Sequence, residues 1–239
     1  MYKTRSKGPD NRPGSRPPSP RAGWIVAAFA VTVGVTLVSC SSRGSALPMD
    51  RSFLTGDPCE PPCWHGLEPG VSTADNAYAV LERLPFVESD SLRETPATNG
   101  EGEDLVLLRF HCPGRHDRTF CGGVELSRGT VRQIWISPLY TLTLMQAVER
   151  LSTPTSMSFI PEVDTGFCTI SLYWSERRMA VKSDLTVLCP SEREVAEGAR
   201  PSPEALVGTI VYGIETPKIA PQTFRQGDVF VPWRGFLED

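Results

Sequence analysis

The chain has 239 residues, 40% of them hydrophobic and 22% charged, with a formal net charge of -4. This length and hydrophobic content allow a sizeable buried core and exclude an intrinsically disordered chain. The first 39 residues hold six of the 24 basic residues and one of the 28 acidic ones, so the remainder has 18 basic and 27 acidic residues and a net charge of -9. This charge excludes nucleic acid as an expected partner, because affinity for nucleic acid comes from Lys and Arg neutralising phosphates.

A polar, basic segment precedes an uncharged apolar run, Trp24 to Val38, which is the order of a secretory signal. The run ends in Leu37-Val38-Ser39-Cys40, which resembles the lipobox of bacterial lipoproteins. The resemblance implies a cleaved signal peptide over residues 1–39 and a palmitate-type lipid anchor on Cys40, at the outer face of the cell membrane. An uncleaved anchor over residues 23–42 is the alternative. Both interpretations place the rest of the chain outside the cytoplasm.

A lipidated Cys40 leaves an even set of six cysteines: Cys59, Cys63, Cys112, Cys121, Cys168 and Cys189. Even sets in exported proteins are typical of disulfides. Connectivity is open, and proximity in the chain favours Cys59 with Cys63, Cys112 with Cys121, and Cys168 with Cys189. A metal site that adds His65, His111 and His116 is the alternative, but their spacing matches no zinc pattern. We predict no metal and no other cofactor.

The first half of the mature chain is predicted to be a helix followed by antiparallel strands. Residues 40–57 show no hydrophobic period and are interpreted as a tether. Ser72 to Asp75 can cap a helix that ends at Pro85. The polar, acidic stretch 88–104 predicts an exposed loop. Strands are expected at residues 105–111, 122–126 and 131–136.

The second half repeats this order. Thr143 and Gln146 form a capping-box pattern ahead of an apolar stripe that ends at Pro154. Three helix positions recur at a fixed offset of 70 residues: Thr73, Ala77 and Leu81 correspond to Thr143, Ala147 and Leu151. Strands are expected at residues 167–174, 179–182 and 185–188. The closing segment Gly129 to Pro138 also aligns without a gap to Gly208 to Pro217.

These patterns predict an α+β fold of two tandem helix-plus-antiparallel-sheet modules behind a cleaved signal segment. The first module is assigned to residues 58–138 and the second to 139–217, with a C-terminal tail over 218–239. The alternative to a duplication is that two short matches arose by chance. The aromatic tail either docks a partner or folds back over an open sheet edge.

The segment Gly66-Leu67-Glu68-Pro69-Gly70-Val71-Ser72-Thr73, followed by Leu81 and Leu84-Pro85, resembles the outer-membrane-assembly accessory lipoproteins. In duplicated form it is also similar to the β-lactamase inhibitory protein architecture. The resemblance implies a protein-binding or scaffolding role, because both families present a sheet or loops to another protein. Cys59 to Gly66 is similar to the opening segment of uncharacterised bacterial lipoproteins, which implies no function.

Motifs that indicate catalysis are missing from the sequence. There is no Gly-x-Ser-x-Gly elbow, no Ser-x-x-Lys pair and no phosphate-binding glycine loop. Cys112 beside His111 cannot form a nucleophile and base pair, because adjacent strand residues point to opposite faces. Glu101, Glu103 and Asp104 lack the spacing of a calcium loop. The remaining candidates are aromatic residues that form either a ligand-binding sheet face or core: Trp135, Tyr173, Trp174 and Tyr212.

The sequence therefore predicts a membrane-anchored extracytoplasmic lipoprotein of the cell envelope without catalytic residues. Its expected partners are the lipid bilayer, through acylated Cys40, and an envelope protein that it binds or scaffolds. The alternative is a small-ligand sensor or an enzyme whose site is built from scattered residues.

Overall fold

The computed structural model describes residues 49–100, 102–114, 120–161, 166–184, 187–191, 194, 197–214 and 229–236. All of them belong to one compact unit. The predicted signal peptide, Cys40 and residues 41–48 of the predicted tether lie outside the described residues. Within these ranges, none of the helices is long and apolar enough to cross a membrane.

Short helices alternate with runs of β-strands along the chain. Three helices have both ends described: α1 (Ser52–Thr55), α2 (Ala74–Leu81) and α3 (Leu144–Leu151). The strands are β1 (Arg93–Thr98), β2 (Asp104–Phe110), β3 (Gly122–Ser127), β4 (Thr130–Ile136), β5 (Ser156–Pro161), β6 (Phe167–Trp174), β7 (Met179–Ser183), β8 (Val187–Leu188), β9 (Val207–Tyr212) and β10 (Val229–Pro232). Turns of 3₁₀ helix lie at Ser89–Ser91 and Ser175–Arg177.

All ten strands belong to a single antiparallel sheet. Nine of them follow the order β1-β2-β3-β4-β9-β7-β6-β5-β10, and β8 pairs with the start of β6. The strand pair at the centre joins the two halves of the chain, with Ile134 opposite Tyr212 and Ile136 opposite Ile210. The predicted fold class, α+β with two helix-plus-sheet modules, is therefore wrong: the protein is mostly one large β-sheet.

The physical reason is that each half ends in a strand whose outer edge needs hydrogen-bond partners. A separate small sheet would leave this edge open, whereas pairing β4 with β9 satisfies both edges at once. One hydrophobic core, rather than two, then extends beneath both helices and includes Leu81, Ile134, Leu151 and Ile210.

Both predicted helices are confirmed, with the caps that their sequences indicate. The Thr73 hydroxyl accepts a hydrogen bond from the Asn76 amide, and the Thr143 hydroxyl accepts one from the Gln146 amide. In each helix, the backbone amide of the cap residue in turn donates a hydrogen bond to the side chain of the third helical residue, which completes a capping box. At positions one turn apart, the helices bury Ala77 and Leu81, and Ala147 and Leu151, against the same face of the sheet.

The two outer strands of the sheet were not predicted. Residues 88–104 were expected to be a loop, yet Arg93–Thr98 pairs with β2 over its whole length. This strand is largely exposed and contains Pro96, so it has no alternation of apolar and polar residues to reveal it. At the other side, β10 from the predicted tail pairs with β5, which is the edge-covering alternative.

The three cysteine pairings favoured by proximity in the chain are confirmed. Disulfides join Cys59 to Cys63, Cys112 to Cys121, and Cys168 to Cys189. These cysteines are not thiolates, so they cannot ligate a metal with the neighbouring histidines.

Candidate functional site

The two faces of the sheet differ, because α2 and α3 both pack on one of them. Side chains alternate between the faces along each strand, so the face opposite the helices can be followed across the strands. Arg109 lies opposite Gly123, Gly123 opposite Trp135, and Trp135 opposite Val211. The row continues through Ala180, Tyr173 and Ser156. We call this surface the helix-free face.

The part of the helix-free face formed by the second half of the chain is covered. Ala180, Val211 and Tyr173 are buried and form a second, smaller apolar cluster. Trp135, Ile214 and Phe230 pack against this cluster from its periphery, and the ring centroids of Tyr173 and Phe230 are 5.7 Å apart. This region is therefore not available to a partner in the structure as it stands.

Buried hydroxyl groups accompany this covered region on strands β5 and β6. The hydroxyls of Ser158 and Tyr173 are 3.0 Å apart and share a hydrogen bond. Ser156 and Ser171 are fully buried, and their hydroxyl oxygens have no hydrogen-bond partner among the described residues. Burying an unpaired hydroxyl costs stability, so these two serines are a destabilising feature of this part of the sheet.

The part formed by the first half is half-buried and carries a group that we call the Trp135 patch: Leu107, Arg109, Phe120, Gln133 and Trp135. The Arg109 guanidinium carbon lies 5.3 Å from the centre of the Phe120 ring, within cation–π range. The Phe120 ring in turn stacks on His111, with centroids 4.7 Å apart. The patch therefore combines one arginine with two large aromatic rings on a β-sheet surface.

Gly123 is the reason that the Trp135 indole can lie against the sheet. A Cβ atom at this position would be 2.6 Å from Cζ2 of Trp135 and 2.9 Å from the backbone oxygen of Leu108. Both distances are too short for real contacts, so only glycine leaves room for the ring. The position of the indole is set by the neighbouring strand and not by the tryptophan alone.

Charged residues surround one end of the Trp135 patch. Arg132 lies 3.2 Å from Glu125 and 3.9 Å from Glu103, and Arg128 lies 3.6 Å from the other oxygen of Glu103. The hydrogen bond from Ser127 and the charges of Arg128 and Arg132 lower the pKa of Glu103. Glu103, a member of the predicted acidic loop, is therefore committed to ion pairs rather than to a cation site; Glu101 lies outside the described residues.

A second group of titratable side chains fixes the N-terminal segment on the core. The Asp50 carboxylate accepts hydrogen bonds from Trp64 Nε1 at 2.7 Å and from the Ser52 amide at 2.9 Å, and it lies 3.1 Å from His65 Nε2. Burial alone would raise the pKa of Asp50, but the hydrogen bonds from His65, Ser52 and Trp64 outweigh it and lower the pKa. Since these bonds occupy the carboxylate, Asp50 holds structure and is not poised as a base.

Tyr140 lies next to this group and was not singled out from the sequence. Burial, and then the negative charge of Asp50, raise the pKa of Tyr140 to about 12. Its hydroxyl is buried and has no hydrogen-bond partner in the part of the chain that the structure describes. A tyrosine with this pKa remains protonated at neutral pH, so it offers a hydroxyl for hydrogen bonding and no phenolate for chemistry.

The four aromatic candidates from the sequence do not form one site. Trp174 and Tyr212 are buried in the main core beneath the helices, whereas Trp135 and Tyr173 belong to the helix-free face. His116 lies outside the described residues, and no group of three or more His, Cys, Asp or Glu side chains that could hold a metal occurs in the described part. No protein-family model, curated protein or solved structure matches the chain.

Proposed function

We propose that this protein is a lipid-anchored, extracytoplasmic binding protein that contacts another protein of the cell envelope through the Trp135 patch. The lipid anchor is the acyl-modified Cys40, and the sheet is the rigid support that presents the patch. The observation that carries the proposal is that Arg109 and Trp135, both half-buried, lie on either side of Gly123 on the helix-free face.

The composition of the patch supports protein binding. Tryptophan and arginine are enriched among the residues that dominate protein–protein binding energy, and such residues tend to lie inside a polar rim. Here the rim is supplied by Glu125 and Arg132, whose ion pair lies beside Gln133 on the same strand pair. A rigid β-sheet also limits the loss of conformational freedom on binding.

Small-ligand binding is the alternative function, and the structure supports it less than protein binding because few polar groups converge on the groove that could hold a ligand. The groove beside Tyr140 is about 510 Å³ and open to solvent, and Asp184 is the one charged residue among the described residues that line it. A ligand site needs a few convergent polar groups in a largely enclosed pocket. The Asp50 carboxylate, whose charge acts on Tyr140, is already occupied by internal donors.

Photo-crosslinking in living cells tests the proposal. A photoreactive residue placed at Gln133, in the Trp135 patch, is expected to give a discrete adduct with one envelope protein. Adding Trp135→Ala should weaken that adduct at least about tenfold, as expected for the loss of a dominant interface residue. The matched control carries the photoreactive residue at Glu149, which is exposed on α3 beneath the opposite face.

The outcome that contradicts the proposal is an adduct pattern that is the same at Gln133 and Glu149, or one that Trp135→Ala leaves unchanged. Either result would mean that the Trp135 patch is not the binding surface. The lipid anchor is tested separately: Cys40→Ser should abolish lipid labelling and leave an unprocessed precursor.

A further inference from the structure

One end of the sheet carries a group of exposed large apolar side chains. At this end β2 and β4 finish and β6 and β9 begin, because neighbouring strands run antiparallel. The exposed residues are Met49, Met145, Phe167, Leu188 and Leu206, of which Leu188 is 71% exposed and Leu206 is 43% exposed. We call this end the Met49 end.

The contacts of these residues place them at the same end. Leu206 directly precedes β9, and Asp184, after β7, donates its amide to the Leu206 carbonyl. Phe167 begins β6 and pairs with Leu188. Met145 lies in the first turn of α3, where its amide donates to the Pro203 carbonyl at 3.1 Å.

Met49 connects this surface to the membrane anchor. It is the first residue that the structure describes, and it lines an open groove with Pro113, which follows β2, Pro138, which follows β4, and Leu206. Met49 is nine positions after Cys40, and nine residue steps span about 30 Å at most. A lipid on Cys40 would therefore hold Met49 within about 30 Å of the bilayer.

We infer that the Met49 end contacts the lipid bilayer, with Met49, Leu188 and Leu206 inserted among the lipid headgroups; this inference depends on the proposed acylation of Cys40. Exposed apolar side chains in water are costly, and a bilayer interface is the apolar surface that the anchor brings within reach. Arg109 and Trp135 are the last residues but one of β2 and β4, so the Trp135 patch then lies on the helix-free face close to the bilayer, where it can contact an envelope protein beside the membrane.

The opposite end provides a matched control. Val71 is 67% exposed, and it lies beside the start of β4, since the amide of its neighbour Gly70 donates to the Val131 carbonyl. Val71 is thus an aliphatic residue nearly as exposed as Leu188, but it is located at the far end of the strands.

Quenching by brominated lipids tests this inference. The mature, acylated protein carrying Leu188→Trp, Leu206→Trp or Val71→Trp is reconstituted into vesicles of phosphatidylethanolamine, phosphatidylglycerol and a brominated phosphatidylcholine, and the signal of the unmodified parent is subtracted. The added indoles at positions 188 and 206 are expected to lose about half of their fluorescence or more, because indole rings partition into the interface. The indole at position 71 should lose little.

Two results on vesicles that retain the protein overturn the inference and leave the proposed anchor standing. They are equal quenching at both ends of the sheet, or no quenching at positions 188 and 206. Flotation of the vesicles separates this result from failure of the anchor. If the mature protein does not float with the vesicles, Cys40 does not anchor it, and both the proposed anchor and the inference are overturned. Circular dichroism of each variant verifies that the fold is unchanged.

Discussion

Gly123→Ala tests how far the sheet itself positions the Trp135 patch. The new Cβ would meet the Trp135 ring at 2.6 Å and the Leu108 carbonyl oxygen at 2.9 Å. The indole can swing away, but the carbonyl belongs to the backbone of the neighbouring strand and can move only with β2. Overpacking of this kind costs about 1–3 kcal/mol, and for a domain of this size each kcal/mol lowers the midpoint of thermal unfolding by about 2–4 °C.

Urea unfolding of the mature protein, monitored by tryptophan fluorescence, measures this loss. Gly100→Ala is the matched control, since a Cβ at Gly100 meets no atom within 4 Å, and the unfolding free energy should not change by more than about 0.5 kcal/mol. The double variant Gly123→Ala with Trp135→Ala should recover part of the loss, because the contact with the ring is removed while the contact with Leu108 remains.

A Gly123→Ala variant as stable as the parent, with unchanged tryptophan emission, would refute the reasoning. It would mean that the strand pair adjusts freely and that the indole position does not depend on glycine. In the expected case, the displaced indole should also weaken the crosslinked adduct formed at Gln133, which links the packing of the sheet to the proposed binding surface.

Three further predictions concern the buried polar groups and the N-terminal segment. The lowered pKa of Asp50 means that its carboxylate contributes stability above a pH of about 4, and that this stability is lost as the pH falls through the folded-state pKa. Asp50→Asn should therefore cost about 1–3 kcal/mol at neutral pH and flatten the acid side of a plot of melting temperature against pH. An unchanged plot would contradict this role. Glu60 receives both bonds from Arg150 Nη2, at 2.7 and 2.8 Å, but is 58% exposed, so Glu60→Gln should cost only about 0.5–1 kcal/mol, with the difference from the parent shrinking in high salt during urea titration. Ser171→Ala removes a fully buried hydroxyl that none of the described residues pairs with, so it should leave the midpoint of thermal unfolding unchanged or raise it. A clear loss of stability would show that the hydroxyl is paired.

The local features of the fold were predictable because they depend on neighbouring residues. The capping pairs Thr73 with Asn76 and Thr143 with Gln146 form within one helical turn, and the disulfides join cysteines separated by 4, 9 and 21 residues. The strand pair β4 and β9 joins residues more than 70 positions apart. Hydrophobic alternation shows which face of a strand is buried but not which strand lies beside it, so the single sheet could not be predicted in this way.

The Trp135 patch was only partly predictable for the same reason. Trp135 and Tyr173 could be identified as aromatic strand residues, but their assignment to the helix-free face depends on the register of the four strands β4, β9, β7 and β6. Arg109 and Phe120 gave no sequence signal, since their contact joins residues 11 positions apart, next to the ends of the Cys112–Cys121 disulfide. Asp50 lies in a segment interpreted as tether, and its bonds to Trp64 and His65 cross 14 and 15 positions.

The two edges of the sheet decide which mode of protein binding is open to this fold. An exposed edge strand can recruit a partner's strand through backbone hydrogen bonds, but the edge strand beside β5 is β10, which is four residues long and ends in Pro232. The outer strand β1 contains Pro96, which has no amide hydrogen, between the exposed charged residues Arg93 and Glu94 and the end of the strand. Proline and charge at an edge oppose pairing with another strand. With both edges closed in this way, a partner must contact side chains on a face of the sheet, and of the two faces the one opposite the helices leaves Arg109 and Trp135 half-exposed.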